Sequence, residues 1–377
     1  MRRPLHRLAH AAVLAALFCF TLELACRIED WVHYRTPLLS RFRSQADLLV
    51  RDPLGAHGRP NARYQKWVMN ELGMRGPAAD SAPPLGTLRI VTAGASETFG
   101  LYESDAHEFP RQLQDSLNLA LAHRTCSSIR RAEVLNAALP GMSLPTVEQD
   151  VRLRLAQLHP DVVVYYPTPV QYLEEHTPTA ATPTSTGSTE LSASNALWPR
   201  SLDRIRNQLK LLLPARIQTA LRERETRAAR ARQSTGWAYT TLPQPQLAAF
   251  EHDLRTLVGS IHRIGAQPVL ATHANAFERG SPSDPTRLAA WEKFYPRATG
   301  PVLVAFDSAG NAAIRRVAAD SSVALADVAT ALRGSPTTRF ADFAHFTDSG
   351  AALAAASVSS TVTQITETPD CTVRKSD

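Results

Sequence analysis

The sequence predicts an α/β fold in which a parallel β-sheet is covered by helices on both faces. Short apolar runs alternate with segments whose apolar residues recur at helical spacing. Hydrophobic residues make up 44% of the 377 residues, enough to build a core and too many for a disordered chain. Only one apolar run, near the N-terminus, approaches the length of a membrane span, which excludes a polytopic membrane protein.

Each predicted strand is a short apolar or β-branched run bounded by Gly, Pro or polar residues. These runs lie at residues 88–93, 133–138, 161–166, 267–272 and 323–327. Apolar residues three or four apart predict helices at residues 108–123, 146–158, 254–264, 309–319 and 349–361. The alternation predicts parallel pairing, because each helix returns the chain so that the next strand runs in the same direction.

Residues 1–26 have the pattern of a signal sequence. Arg2, Arg3 and Arg7 precede an apolar stretch at residues 11–22, and no small-x-small cleavage site follows. We therefore predict an uncleaved signal anchor, with a cleaved signal peptide as the alternative. Positive charge at the start keeps the N-terminus cytoplasmic, so the rest of the chain is expected to be periplasmic or extracytoplasmic and anchored to the inner membrane.

The remainder divides into three further parts. Residues 27–87 are predicted to be a connecting leader with a Pro-rich end, and residues 88–366 to be the main domain, followed by a C-terminal tail at residues 367–377. The main domain is interrupted at residues 174–250 by a flexible loop rich in Thr, Ser, Pro and Ala and by a helical insertion. A lid, a basic membrane-facing arm and a solvated insert are all open for that insertion.

The charge of the chain is concentrated in this insertion. The formal net charge is +6, and residues 200–232 contain ten Lys or Arg against three Asp or Glu. Because no recognisable nucleic-acid-binding module accompanies the basic segment, we expect no nucleic-acid partner. The four cysteines form no Cys-x-x-Cys pair and no phosphate-binding glycine motif occurs, so neither a metal nor a cofactor is expected.

Three short blocks carry candidate chemistry. Ser96 follows the first predicted strand and is flanked by glycines, which allow a tight turn that exposes its hydroxyl and its N–H. Gly141 follows the second strand and is suited to present a backbone N–H to an oxyanion. Asp342 and His345 lie three residues apart before the last helix, a spacing that lets the carboxylate orient the imidazole as general base for a serine.

Together these blocks resemble the SGNH/GDSL hydrolase family, over residues 88–361. Residues 68–76 and 86–90 also resemble the leader of its membrane-anchored bacterial members. The resemblance implies a three-layer αβα sandwich around a five-stranded, parallel, flavodoxin-like sheet.

The resemblance also implies roles for the residues of the blocks. Ser96 matches the nucleophile, His345 the base and Asp342 the group that orients it. The N–H groups of Ser96 and Gly141 match two oxyanion donors, and no cofactor is implied.

Two departures from the family pattern stand out. The family's Gly-Asp-Ser is Gly-Ala-Ser here, which changes a residue other than the nucleophile. The family's third block, Gly-x-Asn-Asp, is absent, and Tyr166-Pro-Thr168-Pro-Val-Gln171 stands in its place. Losing an oxyanion donor costs about 10²–10³ in rate, so Thr168 and Gln171 are the candidate substitutes.

We therefore expect an exported serine ester hydrolase, an esterase or O-deacetylase that acts on acyl esters of small molecules or envelope glycans. An acyltransferase is compatible with the same residues. The missing Asn motivates an alternative, a catalytically weak or inactive glycan-binding or assembly component of an envelope protein complex. The N-terminal helix makes the membrane a further expected partner.

Two further residues, near the same predicted sheet edge as Ser96, are harder to assign. His273, after the fourth strand and near the same sheet edge, is a candidate to line the pocket but is expected at the surface, and Glu97, beside Ser96, either shapes the pocket or faces solvent.

Overall fold

The structure is a computed structural model that describes residues 2–40, 42, 45–123, 128–174, 200–277, 284–333 and 336–366. The loop predicted to be flexible at residues 177–196 and the predicted tail at residues 367–377 lie outside the described residues.

One long apolar helix, α1 (Arg2–Tyr34), lies near the N-terminus. An 18-residue stretch within Ala9–Tyr34 has a mean hydropathy of 1.9, and the helix is long and apolar enough to cross a membrane, as a membrane anchor or a signal sequence is. The helix continues past Cys26 and ends only after a polar turn that contains Glu29 and Asp30.

The leader packs against the body of the protein. It contains a 3₁₀ turn (Gln45–Leu48) and two antiparallel pairs, β1 (Leu49–Asp52) with β2 (Gly55–Gly58) and β3 (Arg63–Tyr64) with β4 (Trp67–Val68). Leu48 and Met74 are fully buried in the main core. A segment with the composition of a linker is therefore held by a few large apolar side chains.

The predicted parallel sheet is present. Its strands are β5 (Thr87–Gly94), β6 (Arg131–Asn136), β7 (Val162–Tyr166), β8 (Gln267–Ala271) and β9 (Ala324–Ala326), in the spatial order β6-β5-β7-β8-β9. All pairs are parallel. Counted within the sheet, the order is 2-1-3-4-5, which is the flavodoxin-like order, so the predicted fold class is confirmed.

Helices connect the strands and extend beyond several predicted ends. Their bounds are α2 (Ser96–Phe99), α3 (Phe109–Ala122), α4 (Leu144–Leu153), α5 (Arg200–Leu211), α6 (Ala215–Ala231), α7 (Gln244–Arg263), α8 (Pro285–Phe294), α9 (Gly300–Asp320), α10 (Val328–Ala331), α11 (Pro336–Arg339) and α12 (Asp348–Thr366). Two 3₁₀ turns, Leu155–Leu158 and Pro169–Leu173, follow α4 and β7. Helices α7, α8 and α9 each have a Pro in the first turn, a position that prolines favour and that periodicity alone does not detect.

The sheet is the middle of three layers. Along β5, Val91 and Ala93 face the core shared with α4, α7 and α9. Leu88 and Ile90 alternate with them and face α3 and α12. This alternation follows from the two-residue period of a strand, and burial of both faces explains why most side chains of the strand are apolar.

The basic insertion forms two helices with different neighbours. In α5, Arg200 pairs with Asp30 of α1, and Arg204 pairs with both Asp30 and Glu29. Helix α6 packs on α8, where Arg230 contacts Glu292. Part of the positive charge of the insertion is thus neutralised within the chain.

Candidate active site

A tight turn at the end of β5 positions Ser96, the first residue of α2. A Cβ atom on Gly94 would lie 2.6 Å from the Tyr166 carbonyl oxygen and closer still to Thr98 Oγ1, so only glycine fits where β5 approaches β7. Because Ser96 is the first residue of its helical turn, its N–H is not used by the turn. The turn places the hydroxyl at the carboxyl edge of the sheet, where ligands of such folds bind.

Asp342 and His345 lie on a closed loop before α12. The loop is closed by an antiparallel backbone bridge between Phe340 and Phe346, whose rings are buried, and by a hydrogen bond of 2.8 Å from the Ala341 N–H to the His345 carbonyl. Within it, the Asp342 carboxylate accepts the His345 N–H at 2.9 Å. The loop therefore fixes both side chains before any substrate arrives.

The structure brings the three predicted residues together across 249 positions of sequence. Ser96 Oγ lies 2.9 Å from His345 Nε2, and His345 Nδ1 lies 2.8 Å from Asp342 Oδ2. This order of contacts is that of a serine nucleophile, an imidazole base and a carboxylate that fixes the tautomer.

The electrostatics of the imidazole follow from its burial and its acidic neighbours. Burial acts to lower the pKa of His345, but the hydrogen bond with Asp342 and the negative charges of Glu97 and Glu103 outweigh it and raise that pKa. The pKa of Asp342 is lowered, because its bonds to His345 and to backbone N–H groups outweigh its burial. Asp342 is thus held as a carboxylate, as an orienting group must be.

The other predicted site residues take different positions. Gly141 lies in an exposed turn after β6 with φ of +80°, and no atom lies within 4 Å of the place of a Cβ. Thr168 is buried, and its hydroxyl donates to Glu97 Oε2 at 3.3 Å. Gln171 lies in the 3₁₀ turn after β7 and is partly exposed.

Behind Ser96 lies a cluster of charged side chains that the sequence analysis missed. Glu97 is 3% exposed and His273 and Asp307 are fully buried, so the expectation of a surface histidine was wrong. Glu97 Oε1 and His273 Nε2 are 3.5 Å apart, and His273 Nδ1 lies 2.5 Å from Asp307 Oδ1. The cluster lies beneath the carboxyl edge, where β8 ends beside β7.

Neighbouring groups of this cluster favour each other's charged forms. Burial acts to lower the pKa of His273, but the charge and hydrogen bond of Asp307 and those of Glu97 raise it to about 10. Burial acts to raise the pKa of Glu97, but His273 and the charge of His345 lower it to about 2. His273 is therefore an imidazolium between two carboxylates.

Tyr102 and Glu103 border His345. The ring of Tyr102 meets that of His345 edge-on at 5.3 Å. Glu103 is 1% exposed, and its burial raises its pKa to about 7. One of its oxygens accepts the Tyr102 N–H at 3.0 Å, and the other has no hydrogen-bond partner among the described residues.

Residues of the leader contact the end of the helical turn that begins at Ser96. Arg75 is buried, donates to the carbonyls of Phe99 and Gly100, and pairs with Glu108 at 3.3 Å. Trp67 Nε1 also donates to the Gly100 carbonyl, at 3.2 Å. The end of α2 is therefore held by residues of the leader.

The fold and these contacts agree with the arrangement expected from the sequence. A 2-1-3-4-5 sheet, with a serine after its first strand and Asp-x-x-His before its last helix, is what the resemblance to the SGNH/GDSL hydrolases implies, and this chain has it. No protein-family model matches the sequence, and no curated protein matches it.

Solved structures with a similar fold include several hydrolases. A candidate SGNH hydrolase from Slackia heliotrinireducens is 18% identical over 73% of this chain and 99% of its own, with a TM-score of 0.39. A lipase/acylhydrolase from Enterococcus faecalis is 15% identical over 76% and 99%, with a TM-score of 0.41. An acetylxylan esterase from Geobacillus stearothermophilus is 12% identical over 72% and 91%, with a TM-score of 0.40. Similarities of this size concern the fold and do not define the activity of this chain.

Among the described residues, no group of three or more His, Cys, Asp and Glu side chains is arranged to hold a metal ion.

Proposed function

We propose that the protein is a serine ester hydrolase, anchored to the inner membrane by α1 with its catalytic body on the periplasmic side. The observation that carries the proposal is the contact of Ser96 Oγ with His345 Nε2 at 2.9 Å, with Asp342 on the other ring nitrogen. Buried, oriented contacts of this kind activate a serine that is otherwise a weak nucleophile.

In the first half-reaction, Ser96 Oγ attacks the ester carbonyl carbon while its proton moves to His345 Nε2. The N–H groups of Ser96 and Gly141 stabilise the oxyanion. The bond to the alcohol oxygen then breaks, and His345 returns the proton to the leaving alcohol. Asp342 holds the Nδ1–H and stabilises the transient imidazolium.

In the second half-reaction, water attacks the acyl-enzyme and gives a proton to His345. The acyl–serine bond breaks, the proton returns to Ser96 Oγ, and the carboxylic acid leaves. If a sugar hydroxyl replaces water, the same residues transfer the acyl group instead. The proposed substrates are acetyl or short acyl esters of small molecules or extracytoplasmic glycans, with the rings of Tyr102 and Phe343 beside the imidazole.

The test uses the full chain in detergent with short-chain p-nitrophenyl esters and a fluorophosphonate probe. We expect hydrolysis and labelling that Ser96→Ala abolishes. Ser349→Ala, an exposed serine in the first turn of α12, is the matched control and keeps both. Wild-type turnover no faster than that of Ser96→Ala would overturn the proposal.

The second candidate is a glycan-binding or assembly component with little catalysis. The Thr168 hydroxyl favours it, because it donates to Glu97 and in this arrangement is not available as the substitute oxyanion donor. If Thr168 or Gln171 turns toward the oxyanion during the reaction, its replacement by Ala lowers kcat by about 10²-fold at little change in KM. Inactive wild type that binds acetylated glycans would favour this second function.

A further inference from the structure

The Ser96 hydroxyl has two acceptors and one proton. His345 Nε2 lies at 2.9 Å, and Glu97 Oε2 lies at 3.2 Å on the other side. The proposed mechanism uses only the first contact. Glu97 is 3% exposed, and a buried carboxylate without a role is costly to keep.

Glu97 is held in place by a chain of buried partners. Its second oxygen faces His273 at 3.5 Å, and His273 in turn contacts Asp307 at 2.5 Å. Asn311 fixes the backbone of His273 from both sides, accepting its N–H at 2.7 Å and donating to its carbonyl at 2.8 Å. Such a chain keeps the Glu97 carboxylate rigid and ionised.

We propose that Glu97 is a positioning residue that holds the Ser96 hydroxyl through a second hydrogen bond and competes with His345 for the serine proton. The inference rests on the proposed hydrolase function. With His345 protonated, its Nε2–H donates to Ser96 Oγ, and the serine proton points to Glu97. With His345 neutral, the serine proton turns to Nε2, which is the reactive arrangement.

Two separable effects follow. The position of the Glu97 oxygen orients the nucleophile and acts on kcat. The negative charge of Glu97 favours the protonated imidazole and sets the pH at which activity appears. The titratable groups that face His345 are Asp342, Glu97, Glu103 and Tyr102, and those that face Glu97 are His273, His345 and the buried hydroxyls of Tyr165, Tyr166 and Tyr295.

Two variants of the full chain separate these effects. Glu97→Gln keeps an acceptor oxygen for Ser96 but removes the charge. We expect the apparent pKa of the acidic limb of the kcat/KM pH profile to fall by about one pH unit. On the alkaline plateau, kcat should stay within about threefold of wild type. Glu97→Asp keeps the charge but withdraws the oxygen by one methylene. We expect kcat to fall about tenfold and the limb to stay within about 0.3 unit of wild type.

The outcomes distinguish this inference from the function on which it rests. Wild type no faster than Ser96→Ala refutes the hydrolase itself. An active wild type whose acidic limb is unmoved in Glu97→Gln refutes only the role of Glu97, because a merely structural residue changes stability and rate but not the limb. Folding is checked by circular dichroism, and should Glu97→Gln not fold, Glu97→Asp decides. We then expect kcat of Glu97→Asp to fall while the acidic limb of its kcat/KM profile stays in place. An unchanged kcat would overturn the inference.

Discussion

Replacing Glu103 with Gln is expected to stabilise the protein at alkaline pH. Glu103 is almost fully buried and one of its oxygens has no partner among the described residues. Its pKa rises from 4.5 to about 7 on folding, so the folded state binds the proton more tightly than the unfolded state does. Stability is therefore greatest at low pH and falls as pH rises from the unfolded value through the folded one.

The size of the effect follows from the shift. About 2.5 pKa units at 1.36 kcal/mol each amount to about 3 kcal/mol. At pH 8.5 the wild-type protein loses that full amount of folding free energy to the ionisation of Glu103, whereas at pH 5 it loses about 1 kcal/mol. The amide that Glu103→Gln introduces cannot ionise, so the variant avoids the pH-dependent loss.

The assay is paired urea unfolding of the detergent-solubilised full chain at pH 5 and pH 8.5. We expect the difference in free energy of unfolding between variant and wild type to grow by about 2 kcal/mol between the two pH values. Glu223→Gln, which changes an exposed carboxylate in α6, is the control and should show no such growth. A difference that stays constant with pH would refute the reasoning, because it would mean that Glu103 ionises as easily in the folded state as in the unfolded one.

Three further predictions concern the site and the anchor. The kcat/KM of wild type should rise with pH through a kinetic pKa above 6.5, because the pKa of His345 is raised and only the neutral imidazole accepts the serine proton; a limb below 6.5 would contradict this. Gly94→Ala should cost about 3 kcal/mol of stability or prevent folding, because its methyl would meet the Tyr166 carbonyl oxygen at 2.6 Å and Thr98 Oγ1 closer still, whereas Gly259→Ala in α7 has open space and should be neutral or stabilising in thermal melts. Deleting residues 1–22 should release the chain from carbonate-washed membranes while keeping esterase activity, since the α1 residues that pair with α5 remain; retention on the membrane would contradict an anchor at α1.

Much of the fold was predictable because its signals are local. Each strand of the sheet is short and contains adjacent apolar residues, and Asp342 and His345 lie three residues apart within one loop. The leader was not predictable in the same way. Its composition is that of a linker, and its packing depends on single side chains such as Trp67 and Met74 that meet distant partners.

The cluster behind the serine was missed for a related reason. Glu97, His273 and Asp307 come from three separate elements, and only the folded chain joins them. One signal was present in the sequence. Asp307 and Asn311 lie four residues apart on the buried face of α9, beside Phe306 and Gly310, where polar residues need a polar partner inside the protein.

The ion pairs between α1 and α5 bear on how far from the membrane the proposed active site can lie. Arg200 and Arg204 bind Asp30 and Glu29 at the end of α1, and Arg27 donates to the Leu38 carbonyl just beyond the helix. With α1 in a bilayer, as proposed, these contacts hold α5 and the residues just beyond α1 close to the membrane surface. The proposed active site would then stay near the membrane, so that the length and orientation of a surface polymer, as much as its chemistry, would decide which of its ester groups are cleaved.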